Sequence, residues 1–327
     1  MNMLNLIKDY RQHDALHYSK LAALSKGYGT YVNKKYWVDQ FAMNHGNAFE
    51  CLLTYPEHFD TMFYISNEDN YTRGSAKSVI KLVFDTLESY VPLNYSLKDS
   101  LLLAASQEGY GGSWTEDRIW NSLLKLEVFY EDLWKAKGKT IISRNDYERI
   151  LHQVNMVSSH PFTSHIVKSW TGFQVPNYFS YNGIEAKRLY DAVSETGLYD
   201  IKYTNGSVKD FNFSLRKFRY DIQAAWYSYH QDFPLQFLVV SHVTNEPPLL
   251  YTLSLKDLTV AFDGIPKNSI TDEYIEDMRV PGIKQIINNY NWHLSNPDVD
   301  VDRGIFITNG RLITNAYDTI YYPNPVD

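Results

Sequence analysis

Leu189-Tyr190-Asp191-Ala192-Val193 and, after five intervening residues, Tyr199-Asp200-Ile201-Lys202-Tyr203-Thr204 decide how this chain is read. Ser194-Glu195-Thr196-Gly197 between them has turn composition, and the flanks Ile184 to Val193 and Leu198 to Thr204 read as two strands of a hairpin. Residues two apart on a strand share a face, so Asp200 and Lys202 point one way and Ile201 packs the other way. The turn brings Asp191 onto the neighbouring strand, and two carboxylates and an amine converge on one patch. Carboxylate oxygens are preferred ligands of a hard divalent cation. Such a cation polarises a phosphoryl oxygen and lowers the pKa of a bound water. A lysine beside it places positive charge where negative charge develops, or helps orient or deprotonate the water. Taken alone, an Asp-x-Lys on a hairpin is a poor motif and reads first as an ordinary surface ion pair.

Outward from the hairpin, the periodicity predicts one helix from Phe211 to His230, with Phe211, Leu215, Phe218, Ile222, Ala225 and Tyr229 as its apolar stripe. Arg216, Arg219, Tyr220, Gln223, Tyr227 and His230 then fall on one polar flank, and Gln223 and Tyr227, four apart, are neighbours. Such a flank could position a water, a phosphate or a DNA backbone; solvent exposure is the plain alternative. Phe237 to Val243 and Leu249 to Leu253 read as two more strands around Asn245-Glu246-Pro247-Pro248.

The first half reads helical, over Tyr18 to Tyr31, Lys34 to Tyr55, Ala76 to Tyr90, Leu97 to Gln107, Trp114 to Lys135, and Tyr147 to Val157 behind a cap at Ser143. In the second of these, Trp37, Phe41, Ala48 and Leu52 share a face, and Val38, Ala42, Met43, Phe49 and Leu53 cover much of the rest. That predicts a helix buried nearly all round. Glu50 on it, with Met43, Gly46 and Leu53 on its side, would be costly to desolvate without a cation or hydrogen-bond partner. Gly46 would leave room for approach. The pattern changes near residue 178, and beyond Lys256 a helix near Ile270 to Tyr290 is mixed with Asn- and Asp-rich segments. Helices, hairpin, helix and strand pair, in that order, predict an α/β core with a helical region before it.

With 327 residues, 44% hydrophobic and 21% charged, the chain is long enough for a substantial core and is not of disordered composition. A net charge of −7 argues against a protein that coats nucleic acid non-specifically. It leaves open an enzyme with a local basic groove, because field focusing acts in a cleft. The longest apolar run, around Phe233 to Val240, is too short to span a bilayer, and Met1 to Lys8 lacks the basic-then-apolar order of a secretory signal. Cys51 is the one cysteine, which excludes an internal disulfide and a cysteine-cluster zinc site. The expectation is a soluble, intracellular, cytoplasmic protein with no membrane partner.

Several local patterns fail. Gly138-Lys139-Thr140 lacks the earlier glycine of a phosphate-binding loop, where Leu133 stands instead. Gly109-Tyr110-Gly111-Gly112 does not carry the dinucleotide fingerprint. Asp298, Asp300 and Asp302 open like a calcium loop, but the sixth and twelfth positions are Arg303 and Asn309. His152, His160 and His165 have no acidic or cysteine partner at metal-site spacing and read as polar helix-end residues.

The order Asp191, Asp200-Ile201-Lys202, then Gln223 and Tyr227 resembles the PD-(D/E)XK nuclease superfamily. Within it the chain is similar to the phage and prophage RecE-type exonucleases (exodeoxyribonuclease VIII), relatives of lambda exonuclease. Further segments agree in order: Leu16-His17-Tyr18-Ser19-Lys20-Leu21; His45 to Leu53 with Pro56-Glu57-His58-Phe59; Gly138 to Ser143 with Asp146-Tyr147 and His160-Pro161; and Tyr220 to Tyr227 followed by Phe237 to Val240 and Pro247-Pro248. The match spans roughly residues 10 to 255, judged from the order of elements. There are departures. Glu50 stands where RecE-type proteins usually have histidine and is similar there to lambda exonuclease, Tyr190 replaces a proline, and Val240-Ser241-His242 lacks a frequent acid.

The resemblance implies a restriction-endonuclease-like core, a central mixed sheet flanked by helices. It would form one nuclease domain over 1–327, with a helical region at about 60–170 inside it and a C-terminal extension over 256–327. It implies Glu50, Asp191 and Asp200 as metal ligands with the Ile201 carbonyl, Mg²⁺ as the metal with Mn²⁺ substituting, and Lys202 orienting or activating the water. Gln223 and Tyr227 would organise the site and touch the backbone. It further implies digestion of linear double-stranded DNA from 5′ ends, a ring-shaped homo-oligomer and a single-strand annealing protein as partner, in the host cytoplasm if phage-encoded. A related endonuclease, a single-strand nuclease, and a non-catalytic DNA-binding protein of the same fold are the competing readings.

Overall fold

Strand pairing on both sides of the Asp191 hairpin sets the architecture. A computed structural model describes residues 3–32, 40–68, 74–264, 281–296, 306–308 and 311–313. The chain divides into two compact units, Gln40–Asn155 and Met1–Asp39 with Met156–Asp327.

The first unit is helical. It holds Gln40–Thr54, Phe59–Met62, Ser75–Phe84, Lys98–Gln107, Glu116–Leu124, Glu127–Ala136 and the start of Arg144–Ser159. Two short parallel strands, β1 (Phe63–Ile65) and β2 (Thr140–Ile142), join them, with Phe63 opposite Thr140. Val79, Ile80, Leu101, Leu123 and Tyr130 form its core. Ser143 caps the Arg144 helix as expected: its hydroxyl accepts the Asp146 N–H at 3.2 Å and donates to Asp146 Oδ2 at 2.6 Å. The expected helix Trp114 to Lys135 is two helices, parted at Lys125 and Leu126, and the one expected to reach Tyr90 ends at Phe84. The Gln40–Thr54 helix is not buried nearly all round, since Met43 is 43% exposed and Asn47 is exposed. A side chain at Gly46 would meet nothing within 4 Å, so that glycine is not required for space. Trp37 and Val38 lie outside the described residues, as do Asp298, Asp300 and Asp302.

The second unit is built on a five-stranded mixed sheet. Its strands, β3 (Gly172–Tyr181), β4 (Ile184–Ser194), β5 (Gly197–Thr204), β6 (Leu235–Ser241) and β7 (Leu249–Thr252), lie side by side in chain order. All neighbours are antiparallel except β5 and β6, which are parallel. The fold is thus α/β with a central mixed sheet flanked by helices. β6 reads Leu235 to Val240 with Leu235, Phe237, Leu238, Val239 and Val240 all buried, the near-continuous apolar run of a strand covered on both faces. β3 begins at Gly172, ahead of the pattern change near 178. Asn182 and Gly183, both at positive φ (49° and 80°), turn it into β4.

A parallel pair needs a crossover, and residues 205–234 supply one carrying two helices, Phe211–Phe218 and Tyr220–Ser228. The sequence predicts a single helix here. Arg219 breaks it: the residue is left-handed (φ 59°, ψ 39°), and its guanidinium is held by Asp221 at 3.0 Å and by the Pro281 carbonyl at 3.0 Å. Those tertiary bonds offset the roughly 1–2 kcal/mol that a side chain pays in the left-handed region. The predicted helix Tyr18 to Tyr31 is broken likewise into Tyr18–Leu24 and Tyr28–Val32 at Gly27, whose φ is +117°. Phe211, Ile222, Trp226, Phe237 and Val239 share one core with Leu21, Leu24, Ala261, Ile283 and Ile286. The helices Leu255–Asp263 and Ile283–Ser295 therefore pack into the sheet unit's own core. Among the described residues, no helix is long and apolar enough to cross a membrane.

Two buried cations fasten this unit. Lys187 donates from Nζ to the Tyr10 carbonyl at 2.5 Å and to that of His13, tying the N-terminal segment to β4, where Leu16 also bridges Ala186. Arg188, 1% exposed, donates from Nη1 to the carbonyls of Trp226 (3.0 Å), Tyr227 (2.9 Å) and Tyr229 (2.8 Å), and from Nε to Asn177 Oδ1. A helix end leaves such carbonyls unpaired and carries the negative end of the helix dipole, so a guanidinium there satisfies both demands.

Replacing Arg188 by Met leaves three carbonyls without this donor and is expected to lower unfolding free energy by about 3–5 kcal/mol. Chemical denaturation reads this, and a loss below about 1 kcal/mol would show the helix end is held otherwise. Burial, then the charges of Lys187 and Lys20, push the His17 imidazole down to about 4. The unfolded chain therefore binds a proton that the folded chain refuses between pH 6.5 and about 4. Stability is lost as pH falls through that window, by on the order of 2–3 kcal/mol. His17→Gln should flatten this acid limb in urea titrations at pH 7 and pH 4.5; an unchanged limb would assign it to other groups.

Candidate active site

Asp191 sits in the middle of β4 at a place where both neighbouring ladders open. On one side the register runs Phe173 to Ala192 and Val175 to Tyr190, passing over Gln174 opposite Asp191. Gln174 is buried and has φ +48°, a left-handed conformation rare for a side chain of this kind in a strand. Its Nε2 lies 3.4 Å from Asp191 Oδ1. On the other side the β4–β5 ladder stops at Ala192 and Tyr199. There Asp191 Oδ2 accepts the Ile201 N–H at 2.7 Å. A carboxylate thus replaces a backbone acceptor with a charge-assisted bond. A strand residue's N–H and C=O leave on the same side, so the Ile201 carbonyl faces the same opening.

Asp200 is buried, and both of its oxygens are engaged from within the crossover and the strand. Gln223 Nε2 donates to Oδ1, and Lys202 Nζ lies 2.6 Å from Oδ2. That ammonium forms a close ion pair with Oδ2, while Gln223 Oε1 is buried without a hydrogen-bond partner. Lys202 also lies 4.2 Å over the Tyr220 ring. Burial alone would lower the Lys202 pKa, but Asp200, Tyr220 and Asp191 together hold it well above the ordinary lysine value, and the group is an ammonium.

Gln223 and Tyr227 lie on the Tyr220–Ser228 helix, both buried. For these two residues the plain alternative of solvent exposure does not hold, but the expected single flank does not form. Because the helix restarts at Tyr220, Gln223 turns inward to Asp200, Arg219 is buried on Asp221, and His230 falls beyond the helix end with φ +53°. Burial, then Tyr10 and the two aspartates, raises the Tyr227 hydroxyl well above its usual range, so it stays a phenol. Its carbonyl accepts from Arg188 and from the Tyr190 hydroxyl.

The structure therefore brings Asp191, Asp200, Lys202, Gln223 and Tyr227 together with the Ile201 backbone. Glu50 belongs to the helical unit, half-buried on the Gln40–Thr54 helix. Sequence reasoning missed Gln174, Arg188 and the proximity of Tyr18, whose buried hydroxyl feels Tyr220 and Asp200. Lys187-Arg188 inside an apolar strand was the one available signal for the fastening. Nothing in the pattern marks Gln174. The remaining local patterns resolve as structure: Lys139 Nζ donates to the Asp60 carbonyl, and His160 Nδ1 accepts the Phe162 N–H at a helix end. The Asp191 and Asp200 carboxylates and the Ile201 carbonyl are all hard oxygen donors, and this set fits a divalent cation such as Mg²⁺.

Comparison with known proteins leaves this site without a named counterpart. No family model matches the chain, and no curated protein matches it. Among solved structures, it is similar to the crystal structure of a candidate exonuclease from Eubacterium rectale, at TM-score 0.40 and 12% sequence identity, over 92% of this chain and 88% of that one. A likeness of that degree carries no conclusion about activity, which rests on the residues themselves.

Proposed function

We propose that the chain is a metal-dependent nuclease of the PD-(D/E)XK type that hydrolyses phosphodiester bonds of linear duplex DNA from its ends. The observation that supports this most is the Asp200 carboxylate, gripped by Gln223 and faced by Lys202, with Asp191 one strand away in an opened ladder. Asp191, Asp200 and the Ile201 carbonyl would hold the cation, Mg²⁺ with Mn²⁺ substituting. When bound, it would polarise a phosphoryl oxygen and make a nucleophile of a water. Lys202 offers positive charge to the phosphate as negative charge develops there. Gln223 fixes the Asp200 oxygen that faces it, and the other oxygen, ion-paired with Lys202, would be the one offered to the cation. Tyr227 closes the floor of the site as a neutral phenol. The sequence resemblance adds Glu50 as a third carboxylate, 5′ to 3′ polarity, a ring-shaped oligomer and a single-strand annealing partner.

Digestion of 5′-phosphorylated linear duplex, with and without Mg²⁺ and beside a covalently closed circle, tests the proposal. The expected result is Mg²⁺-dependent loss of the linear substrate alone. Asp200→Asn and Lys202→Ala should each slow it by about 10²–10³-fold or more, and because each removes one partner of a buried ion pair and lowers stability, the rates are compared well below each variant's own melting temperature. Full activity in both variants would overturn the site. Cutting of the circle would indicate an endonuclease, and DNA bound but never cut a non-catalytic protein. Glu50→Gln with wild-type rate would remove that residue from the ligand set.

A further inference from the structure

The short helix Phe211–Phe218 presents to solvent what a helix normally hides. Phe213 is 69% exposed and Phe218 46% exposed, and Arg216 and Lys217 between them are exposed too. Phe213, Arg216 and Lys217, at spacings of three and four, share one face. Lys217 Nζ lies 5.3 Å over the Phe218 ring. That ring is 5.6 Å from the ring of Tyr220, and Tyr220 in turn carries Lys202 Nζ 4.2 Å over its face. A continuous series, cation, two rings and cation, therefore runs from the surface at Lys217 to the ammonium beside Asp200. The ledge is also fixed in place: the Tyr18 hydroxyl donates to the Phe218 carbonyl at 2.6 Å, and the Tyr18 ring is 6.4 Å from that of Tyr220.

Charge singles out the same stretch. In a chain of net charge −7, the residues from Lys209 to Lys217 include the bases Lys209, Arg216 and Lys217 against one acid, Asp210, while Lys202 and Arg219 on either side are paired with Asp200 and Asp221. An acidic protein that concentrates bases beside exposed phenyl rings matches a ligand that is anionic along its length and aromatic at intervals. A polynucleotide with open base faces has both properties, whereas a duplex buries those faces in its own stack.

We propose that this ledge binds a single strand of nucleic acid, with bases stacked on Phe218 and Phe213 and phosphates on Arg216 and Lys217, and leads its backbone to Asp200 and Lys202. What then happens to the strand rests on the nuclease reading; that it binds here does not.

Binding is measured by fluorescence anisotropy with a labelled 20-residue oligothymidine and a blunt duplex of equal length, in EDTA and in Ca²⁺. Phe218→Ala should weaken oligothymidine binding about tenfold and duplex binding far less, with Phe218→Trp restoring it. The Arg216→Gln, Lys217→Gln pair should flatten the slope of log affinity against log salt by about 1.4, about 0.7 for each phosphate of a single strand that is no longer neutralised. All four side chains are exposed, so melting temperatures should stay at the wild-type value. Unchanged oligothymidine affinity in Phe218→Ala and in the double variant would overturn the ledge. So would an equal loss for both probes, or no binding of oligothymidine by the wild type. Cleavage separates the two ideas. Weakened binding in the variants, with no Mg²⁺-dependent cutting by any form, keeps the ledge and removes the nuclease. Cutting with unaltered affinities does the reverse.

Discussion

The guanidinium of Arg188 is the contact on which this arrangement hangs. It leaves β4 three residues before Asp191 and ends on the last carbonyls of the helix that carries Gln223 and Tyr227. A planar cation with several donors in fixed directions can satisfy several carbonyls at once, which an ammonium cannot do with the same geometry. The distance between strand and helix is thereby set from the strand itself. Gln223 then arrives at Asp200, and Tyr227 packs against Tyr190 with ring centroids 5.6 Å apart. No acid pairs with Arg188 in these bonds. Carbonyl dipoles and the Phe179 face, 4.4 Å away, take that place.

Around that fixture the sheet gives up regular pairing where chemistry is wanted. Asp191 interrupts the ladders on both its edges, and Gln174 takes a backbone conformation that costs on the order of 1–3 kcal/mol. A carboxylate buried beside a second one is costly unless compensated. Lys202, ion-paired with Asp200 at 2.6 Å, offsets part of that cost, and the Gln223 amide oxygen is buried without a hydrogen bond. The site is therefore rigid in its neighbours and holds two carboxylates against one ammonium at its centre.

Much of this could be read in the sequence because it depends on short periods. The two-residue repeat of a strand places Asp200 with Lys202, and a tight turn places Asp191 beside them. The four-residue neighbour rule pairs Gln223 with Tyr227. What escaped reading depends on distant partners. The left-handed Arg219 holds the Pro281 carbonyl, 62 residues on, as well as nearby Asp221, so the helix that periodicity runs through it is two helices, and Gln223 and Tyr227 of the expected polar flank are buried. β3 alternates poorly, with Gln174, Asn177 and Ser180 among its residues, although Asn182-Gly183 is a strong hairpin signal. The stretch beyond residue 256 reads as an extension because no motif carries over to it and Asn- and Asp-rich segments interrupt it, yet Ile283, Ile286 and Ile287 pack in the core.

The crossover from β5 to β6 has a kinetic side as well. Gln174, Asp191, Asp200, Lys202, Gln223 and Tyr227 follow one another along a single uninterrupted stretch of chain, folded by a hairpin and a strand-to-helix return. Contacts between residues near in sequence close small loops and form early, whereas those that join β4 to the N-terminal segment, or the C-terminal helices to the core, close large ones. The order of events on folding would then place the chemistry before the enclosure, so that the last segments to dock determine how durable the site is rather than what shape it has.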